Sequence, residues 1–316
     1  MKYKFNLILI ILILFLFSNL VSAQTLEVAL VSDIGGFEDY NYNQQLKDSL
    51  IKAANDFDLV VKFEESNLMS EYLEKINGYA ENRFDLIWGL GFTMEQAIRE
   101  AAQMYPKRNF VLFDGRVKEE NVKSIIFNKK EAGFLAGLVA GFETNTKNVA
   151  FIGGKNNKEI TEYQLGFEKG VKAVNAEIKI YNEYLASFND FSRAKKVTKK
   201  LAVKKVDIVF YAAGASGQGI IETALQENLK LISLAAADIN LAPNNMLTVI
   251  LKNTDYLVKK VITDYQNSNY ENGVKEYGLA ENALIIDQDQ AKDMMITKNI
   301  KKIEEYKQRY LSNEIK

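Results

Sequence analysis

Short apolar, β-branched runs recur along the chain, and each is followed by a stretch with helical spacing. The apolar runs predict strands over Leu26–Asp33, Leu59–Glu65, Asp85–Gly89, Phe110–Phe113, Ser124–Phe127, Val149–Gly153, Lys179–Tyr184, Asp207–Ala212, Lys230–Leu234, Thr248–Leu251 and Leu284–Asp287. Apolar positions three and four apart predict helices over Asn43–Phe57, Ser70–Asn82, Met94–Met104, Lys130–Phe142, Glu159–Val174, Phe191–Val203, Gly217–Gln226, Asp255–Gln266 and Asp289–Leu311. Strand then helix, repeated, implies parallel sheets covered by helices on both faces, an α/β fold. The run Val206-Asp207-Ile208-Val209-Phe210-Tyr211 is almost continuously apolar, as a strand covered on both sides should be.

Punctuation is sparse. The only prolines are Pro106 and Pro243, and no Gly/Ser tract or low-complexity segment interrupts the βα units. With 316 residues, the chain is long for one ordinary domain, so two lobes joined by short crossovers are expected. The last helical stretch carries Lys301, Lys302, Glu304, Glu305, Lys307 and Arg309, the mixed charges of a solvated face.

The first segment is of another kind. Lys2 and Lys4 precede an unbroken apolar run from Leu7 to Phe17, and Val21 and Ala23 place small residues three and one before a cut after Ala23. The run is shorter than the roughly 20 residues a membrane span needs, so it reads as a cleaved secretory signal and not as an anchor. Removing it takes the formal charge from −1 to −3. A lipoprotein signal would need a cysteine at the cut, and the chain has none. An exported, periplasmic product without acylation is expected.

Composition removes whole classes of chemistry. Histidine and cysteine are both absent, which excludes a disulfide, a thiolate nucleophile, a Cys/His zinc site and a Ser-His-Asp triad. No cofactor or metal is expected. The 40 basic and 41 acidic residues balance, so no global charge points to nucleic acid.

In open α/β sheets, ligands lie beyond the carboxyl ends of the strands, so the residues after each strand are the candidates. The first strand ends in Ser32-Asp33-Ile34-Gly35-Gly36, followed by Tyr42-Asn43-Gln44. The third ends in Gly89-Leu90-Gly91-Phe92 and the fourth in Phe113-Asp114-Gly115. Later come Ser187-Phe188-Asn189-Asp190, the loop Gly214-Ala215-Ser216-Gly217-Gln218-Gly219, and Leu251-Lys252-Asn253. Singly, each has an ordinary structural reading: a turn at Asp114-Gly115, helix caps at Asn43 and Asp190, core packing for Tyr42 and Phe188. Their recurrence at several strand ends suits a flat ring bearing hydroxyls, with aromatics to stack and carboxylates and amides to accept hydrogen bonds. The Gly214–Gly219 loop lacks the lysine of a phosphate loop and the GxGxxG and GxSxG spacings. It reads as a close-packed turn exposing N–H groups to a ligand.

These motifs, with Phe84-Asp85-Leu86-Ile87-Trp88-Gly89, Glu131-Ala132-Gly133-Phe134-Leu135-Ala136-Gly137 and Gly166-Phe167-Glu168-Lys169-Gly170-Val171, occur in an order that resembles the basic membrane protein family. Those are purine-nucleoside-binding proteins of ABC transporters, and the resemblance spans nearly the whole chain after residue 23. It implies the type I periplasmic-binding-protein fold: two Rossmann-like lobes joined by three crossovers, closing on a ligand. Mapped here, lobe one is expected over 24–126 and 249–275, and lobe two over 127–248 and 276–316. The stacking aromatics of the family fall on Tyr42 and Phe188, and its polar ligands on Asp33, Asn43, Asp114 and Lys252. Phe92, Gly214 and Ser216 join them as lining. After the ninth strand the family's ribose-binding Asp falls on Ala235, and Asp238 is the carboxylate available to replace it. The resemblance implies a purine nucleoside or related small molecule as ligand, an ABC permease as membrane partner, a monomer, and no nucleic acid. Two other readings share the sequence: a ligand-sensing receptor domain of the same fold, and a carboxylate-based nucleoside hydrolase using Asp33, Glu38, Asp39 or Asp114.

Overall fold

The computed structural model describes residues 25–38, 42–287 and 296–315. The signal expected over 1–23, residues 39–41 and the start of the last helix expected from Asp289 lie outside them.

Two six-stranded sheets form. The first contains β1 (Leu26–Val31), β2 (Leu59–Glu64), β3 (Leu86–Leu90), β4 (Asn109–Phe113), β5 (Val122–Phe127) and β11 (Gly273–Tyr277), in the order β11-β5-β4-β3-β1-β2. The second contains β6 (Asn148–Gly153), β7 (Lys179–Tyr184), β8 (Ile208–Ala212), β9 (Lys230–Ser233), β10 (Met246–Lys252) and β12 (Leu284–Ile286), in the order β12-β10-β9-β8-β6-β7. All described pairs are parallel except β10 with β12. In both sheets the first strand sits inside, with the chain winding outward on either side, and the order reverses between β1 and β3 and between β6 and β8.

The strand sequences explain their places. β3, β5 and β8 are buried along their whole length, as central strands must be, whereas the edge strands β2 and β7 alternate with polar residues. The chain passes from the first sheet to the second after β5, returns after β10, and leaves again after β11. The changeover expected at residue 249 falls inside β10, which pairs with β9 and β12 and stays in the second sheet to Lys252. β11 carries no apolar run: Gly-Val-Lys-Glu-Tyr becomes a strand because β5 has a free edge in register with it, from Lys123 opposite Gly273 to Phe127 opposite Tyr277.

Helices fill the connections: α1 (Tyr42–Asp56), α2 (Tyr72–Glu81), α3 (Glu95–Met104), α4 (Lys129–Glu143), α5 (Lys158–Val174), α6 (Phe191–Val203), α7 (Gly217–Glu227), the one-turn α8 (Asp238–Leu241), α9 (Thr254–Gln266) and α10 (Ile296–Leu311). They pack in pairs on the sheets, α1 with α9, α2 with α3, α4 with α5 and α6 with α7, while α10 lies on α4. α4 is apolar nearly all round because it is enclosed by α5, by the second sheet and by α10, where Tyr310 stacks on Phe134 at 4.2 Å.

Candidate functional site

The two reversals of strand order are where an open α/β sheet leaves a crevice beyond its carboxyl ends. The candidate residues gather there in four groups.

The first group closes the end of β1. Asn43, buried in the first turn of α1, donates from Nδ2 to Asp33 Oδ1 at 2.8 Å and to the Gly36 carbonyl at 2.9 Å. Asp33 Oδ1 also accepts the Gly35 N–H at 2.9 Å. The Gly35-Gly36 turn is thus folded back around the carboxylate, which is held at the rim instead of pointing freely into solvent. Phe92, in the short turn after β3, is 74% exposed.

The second group ties the sheets together. Lys252 is the last residue of β10, in the second sheet. Its ammonium reaches Asp114 Oδ2, in the loop after β4 of the first sheet, at 2.5 Å. It also lies 3.9 Å from the centroid of the Tyr42 ring and 5.0 Å from that of Phe127, so two π faces add to the ion pair. Tyr42 and Phe127 meet edge to face at 6.0 Å. Asp114 adopts φ +62°, the left-handed conformation that Asp tolerates better than most residues. Burial pushes its carboxyl up, but the Lys252 ammonium, with Lys129 and Arg116 behind it, outweighs burial and holds it below the ordinary carboxylate range. The Tyr42 hydroxyl is buried without a hydrogen-bond partner, and burial first, then Asp114, pushes its phenol well up. A cavity of about 110 Å³ opens beside this group, lined by Tyr42, Phe127, Lys129, Tyr163, Leu234 and Lys252 among others.

The third group belongs to the second sheet. The Phe188 ring lies against Gly154 and Gly214: a Cβ on Gly154 would stand 2.2 Å from the ring, and Gly214 sits at φ +57°. Phe188 is nevertheless 36% exposed. Its carbonyl accepts the Ser216 N–H at 3.0 Å. Ser216 itself is fully buried, with Oγ accepting the Asp190 N–H at 2.8 Å. The serine therefore braces the loop that presents Phe188, and its hydroxyl is engaged inside the protein.

The fourth group follows β9. Asp238 accepts from the Tyr211 hydroxyl at 2.6 Å and from the Ser233 hydroxyl, and Ser233 Oγ accepts the Ala235 N–H at 3.1 Å. Burial, then Asp238, pushes the Tyr211 phenol well up. The Asp238 carboxylate thus already holds two hydroxyls, and Ala235 contributes a backbone turn beside it.

Asp33 with Asn43, Asp114 with Lys252 and Tyr42, Phe188 with Gly214 and Ser216, and Ala235 with Asp238 are each brought into contact. Among the described residues Tyr42 pairs its ring with Phe127 and not with Phe188. Three lining residues escaped sequence reading. Phe127 is the last residue of its own strand, Tyr163 lies mid-helix, and Gly154 belongs to the Gly153-Gly154 pair at the end of β6, which mirrors Gly35-Gly36 and was the available signal. Among the described residues no group of three Asp or Glu side chains is placed to hold a metal ion.

The profile of a family described as ABC transporter substrate-binding protein PnrA-like matches residues 26–316. The chain is 30% identical to the CD4+ T-cell-stimulating antigen of Listeria monocytogenes, over 93% of its own length and 88% of the relative's. It is 29% identical to a Lactococcus lactis protein named ABC transporter nucleoside-binding protein BmpA, over 80% of this chain and 72% of that one. Among solved structures, an ABC transporter solute-binding protein from Conexibacter woesei superposes with a TM-score of 0.76 at 18% identity, covering 92% of this chain and 98% of that one, a likeness of fold.

Proposed function

We propose that this chain, which belongs to the family of PnrA-like ABC transporter substrate-binding proteins, captures a purine nucleoside or related nucleobase compound between its two lobes and delivers it to an ABC permease. Proteins of this family bind a small molecule for a membrane transporter and are exported or membrane-associated. The observation that carries the finer reading is the pair of aromatic rings, Tyr42 and Phe188, each fixed by packing at the carboxyl end of a different sheet. A planar base fits such a pair, and the name of the Lactococcus relative supports the same ligand class.

In this reading Phe188 offers the face turned away from Gly154 and Gly214. Tyr42 offers the face opposite Lys252. Asp33, fixed by Asn43, and Asp114, paired with Lys252, supply acceptors for ring N–H groups or sugar hydroxyls. The lobes part around the crossovers to admit the ligand and close on it, the hinge motion of binding proteins. Nothing in the proposal requires a reaction: the acids are hydrogen-bonded or ion-paired, and no histidine or cysteine is present to act as base or nucleophile. The protein works as a monomer in this scheme.

Calorimetry with a panel of nucleosides and free bases tests it. At least one purine compound should bind, and Phe188→Ala should weaken that binding about tenfold or more, the usual worth of stacking one base on an aromatic ring. Silence across purines, pyrimidines and free bases would sink the ligand class while leaving the family intact. We further propose that the segment ending at Ala23 is removed on export. Sequencing the secreted protein from its amino end should then start at Gln24, and a start at Met1 would refute cleavage.

A further inference from the structure

Helix α6 and the two residues after it differ from every other helix in charge. Between Phe191 and Val206 the chain places seven of its 40 basic residues, Arg193, Lys195, Lys196, Lys199, Lys200, Lys204 and Lys205, and none of its 41 acidic ones. The remainder of the molecule is therefore clearly acidic, and a local positive field stands out against it. The C-terminal helix α10, by contrast, interleaves lysines with glutamates.

The fold decides which of these cations face outward. Ala194, Thr198 and Leu201 are buried against the second sheet. The opposite side, at three- and four-residue spacing, presents Arg193, Lys196, Lys199 and Lys200, with Val203 on the same face and 80% exposed. Three of the seven cations are tied down, Lys195 to Glu222, and Lys200 on the outward face and Lys204 beside it to Glu183. Arg193, Lys196, Lys199 and Lys205 are exposed and make no ion pair among the described residues. The stripe starts three residues beyond the Asp190 cap, beside the loop that carries Phe188, and runs down the flank of the second lobe.

We propose that this stripe is a docking surface for an anionic lipid headgroup layer. A ridge along one helix is convex and offers a folded partner no concavity to key into. A plane of phosphates accepts it at any register. Lysine predominates over arginine, which suits diffuse attraction to point charges more than bidentate pairing with a particular carboxylate. The bare Val203 among the lysines adds an apolar contact at the depth of the headgroups. Such a contact leaves the cleft unobstructed, since the stripe lies on the flank, and it confines the protein's search for a membrane partner to a surface. The inference stands apart from the ligand proposal, since no cleft residue takes part in it.

Cosedimentation of the whole protein with phosphatidylcholine vesicles, with and without about one-third phosphatidylglycerol, tests the assignment. The protein should bind only the anionic vesicles, and added salt should release it. Each cation near an anionic leaflet strengthens attachment about fivefold, so changing Arg193, Lys196, Lys199 and Lys205 together to Gln should weaken binding by roughly six-hundredfold. A matched variant with Lys107, Lys118, Lys158 and Lys301 changed to Gln, which removes the same charge from other exposed positions, should bind like the parent. Both variants alter exposed side chains outside any ion pair, and circular dichroism should find both folded. Equal loss in the two variants would overturn the proposal, because net charge would then explain the binding. So would a parent protein that ignores anionic vesicles, even if it later proves to hold an acidic protein through the same stripe.

Discussion

Replacing Lys252 with methionine will weaken the hold of the two lobes on each other. Lys252 carries charge from the second sheet to the first, meeting Asp114, Tyr42 and Phe127 together. Methionine keeps the volume and some of the contact with the rings but leaves the Asp114 carboxylate unpaired. Both side chains of the pair are 25% exposed, so water screens part of the loss. A fully buried pair broken on one side costs about 3–5 kcal/mol. Half that range, about 1.5–2.5 kcal/mol, is expected here, a roughly ten- to seventyfold shift toward separated lobes. Small-angle scattering of the ligand-free protein should show a larger radius of gyration. The double variant Lys252→Met/Asp114→Asn should recover much of the change, because no stranded charge remains.

The same pair fixes a pH dependence. The Asp114 carboxyl is held below its ordinary value in the folded protein. A group depressed in this way contributes its full stabilisation above the ordinary carboxylate range and loses it as pH falls through its own lowered pKa. In Lys252→Met, burial is less opposed and the Asp114 titration moves upward. Carbon-13 NMR of the Asp114 carboxyl reads this directly, and an unmoved titration together with unchanged scattering would remove Lys252 from the closure.

The second large effect concerns α4 and α5. Glycines on both helices let the backbones approach until nothing fits between them. A Cβ on Gly166 would stand 1.8 Å from the Lys130 carbonyl oxygen, and one on Gly133 would stand 2.1 Å from that of Tyr163. Gly137 and Gly170 meet Phe167 and Phe134 carbonyls in the same way. The obstacles are backbone, not flexible side chains, so Gly166→Ala must push two helices apart along a packed seam. Overpacking a core costs about 1–3 kcal/mol, and this site should lie at or above the top of that range. Gly78, in the middle of α2, provides the control. Nothing lies within 4 Å of its missing Cβ, so Gly78→Ala should gain about 0.5–1 kcal/mol from helix propensity alone. Urea denaturation of both variants measures the contrast. Equal, small effects would mean that the two helices slide apart freely.

Much of the fold was legible because its strands are buried on both faces. An apolar run such as that of β8 announces itself without any knowledge of its neighbours. β11 did not, since Gly-Val-Lys-Glu-Tyr has no pattern of its own and becomes a strand by pairing with β5. The site was legible in the same partial way. Strand ends carrying Asp33, Asp114 and Phe188 were readable from position alone. Their engagements were not: that Ser216 is spent on bracing Asp190, or that Asp238 is occupied by Tyr211, depends on residues 26 and 27 positions away in the chain. Residues that line by proximity, such as Tyr163, carry no local mark at all. The glycine seam between α4 and α5 lay in plain view as Gly133, Gly137, Gly166 and Gly170, but it shows as a pattern only once the two helices are known to be neighbours.

The lateness of β11 has a consequence for how the molecule comes into being. Gly273 pairs with Lys123, 150 residues earlier, and the whole second sheet apart from β12 is encoded between them. As the chain emerges from its amino end, β1 to β5 are complete while the β5 edge is still unpaired, and the segment that covers it is among the last to arrive. The entropy of closing so long a loop rises only slowly with length, so thermodynamics tolerates the arrangement. Kinetics is less forgiving, because an open parallel edge invites pairing with another chain until its own strand appears. The interval between exposing residue 127 and exposing residue 277 is therefore the period in which a nascent molecule most depends on being kept apart from its siblings.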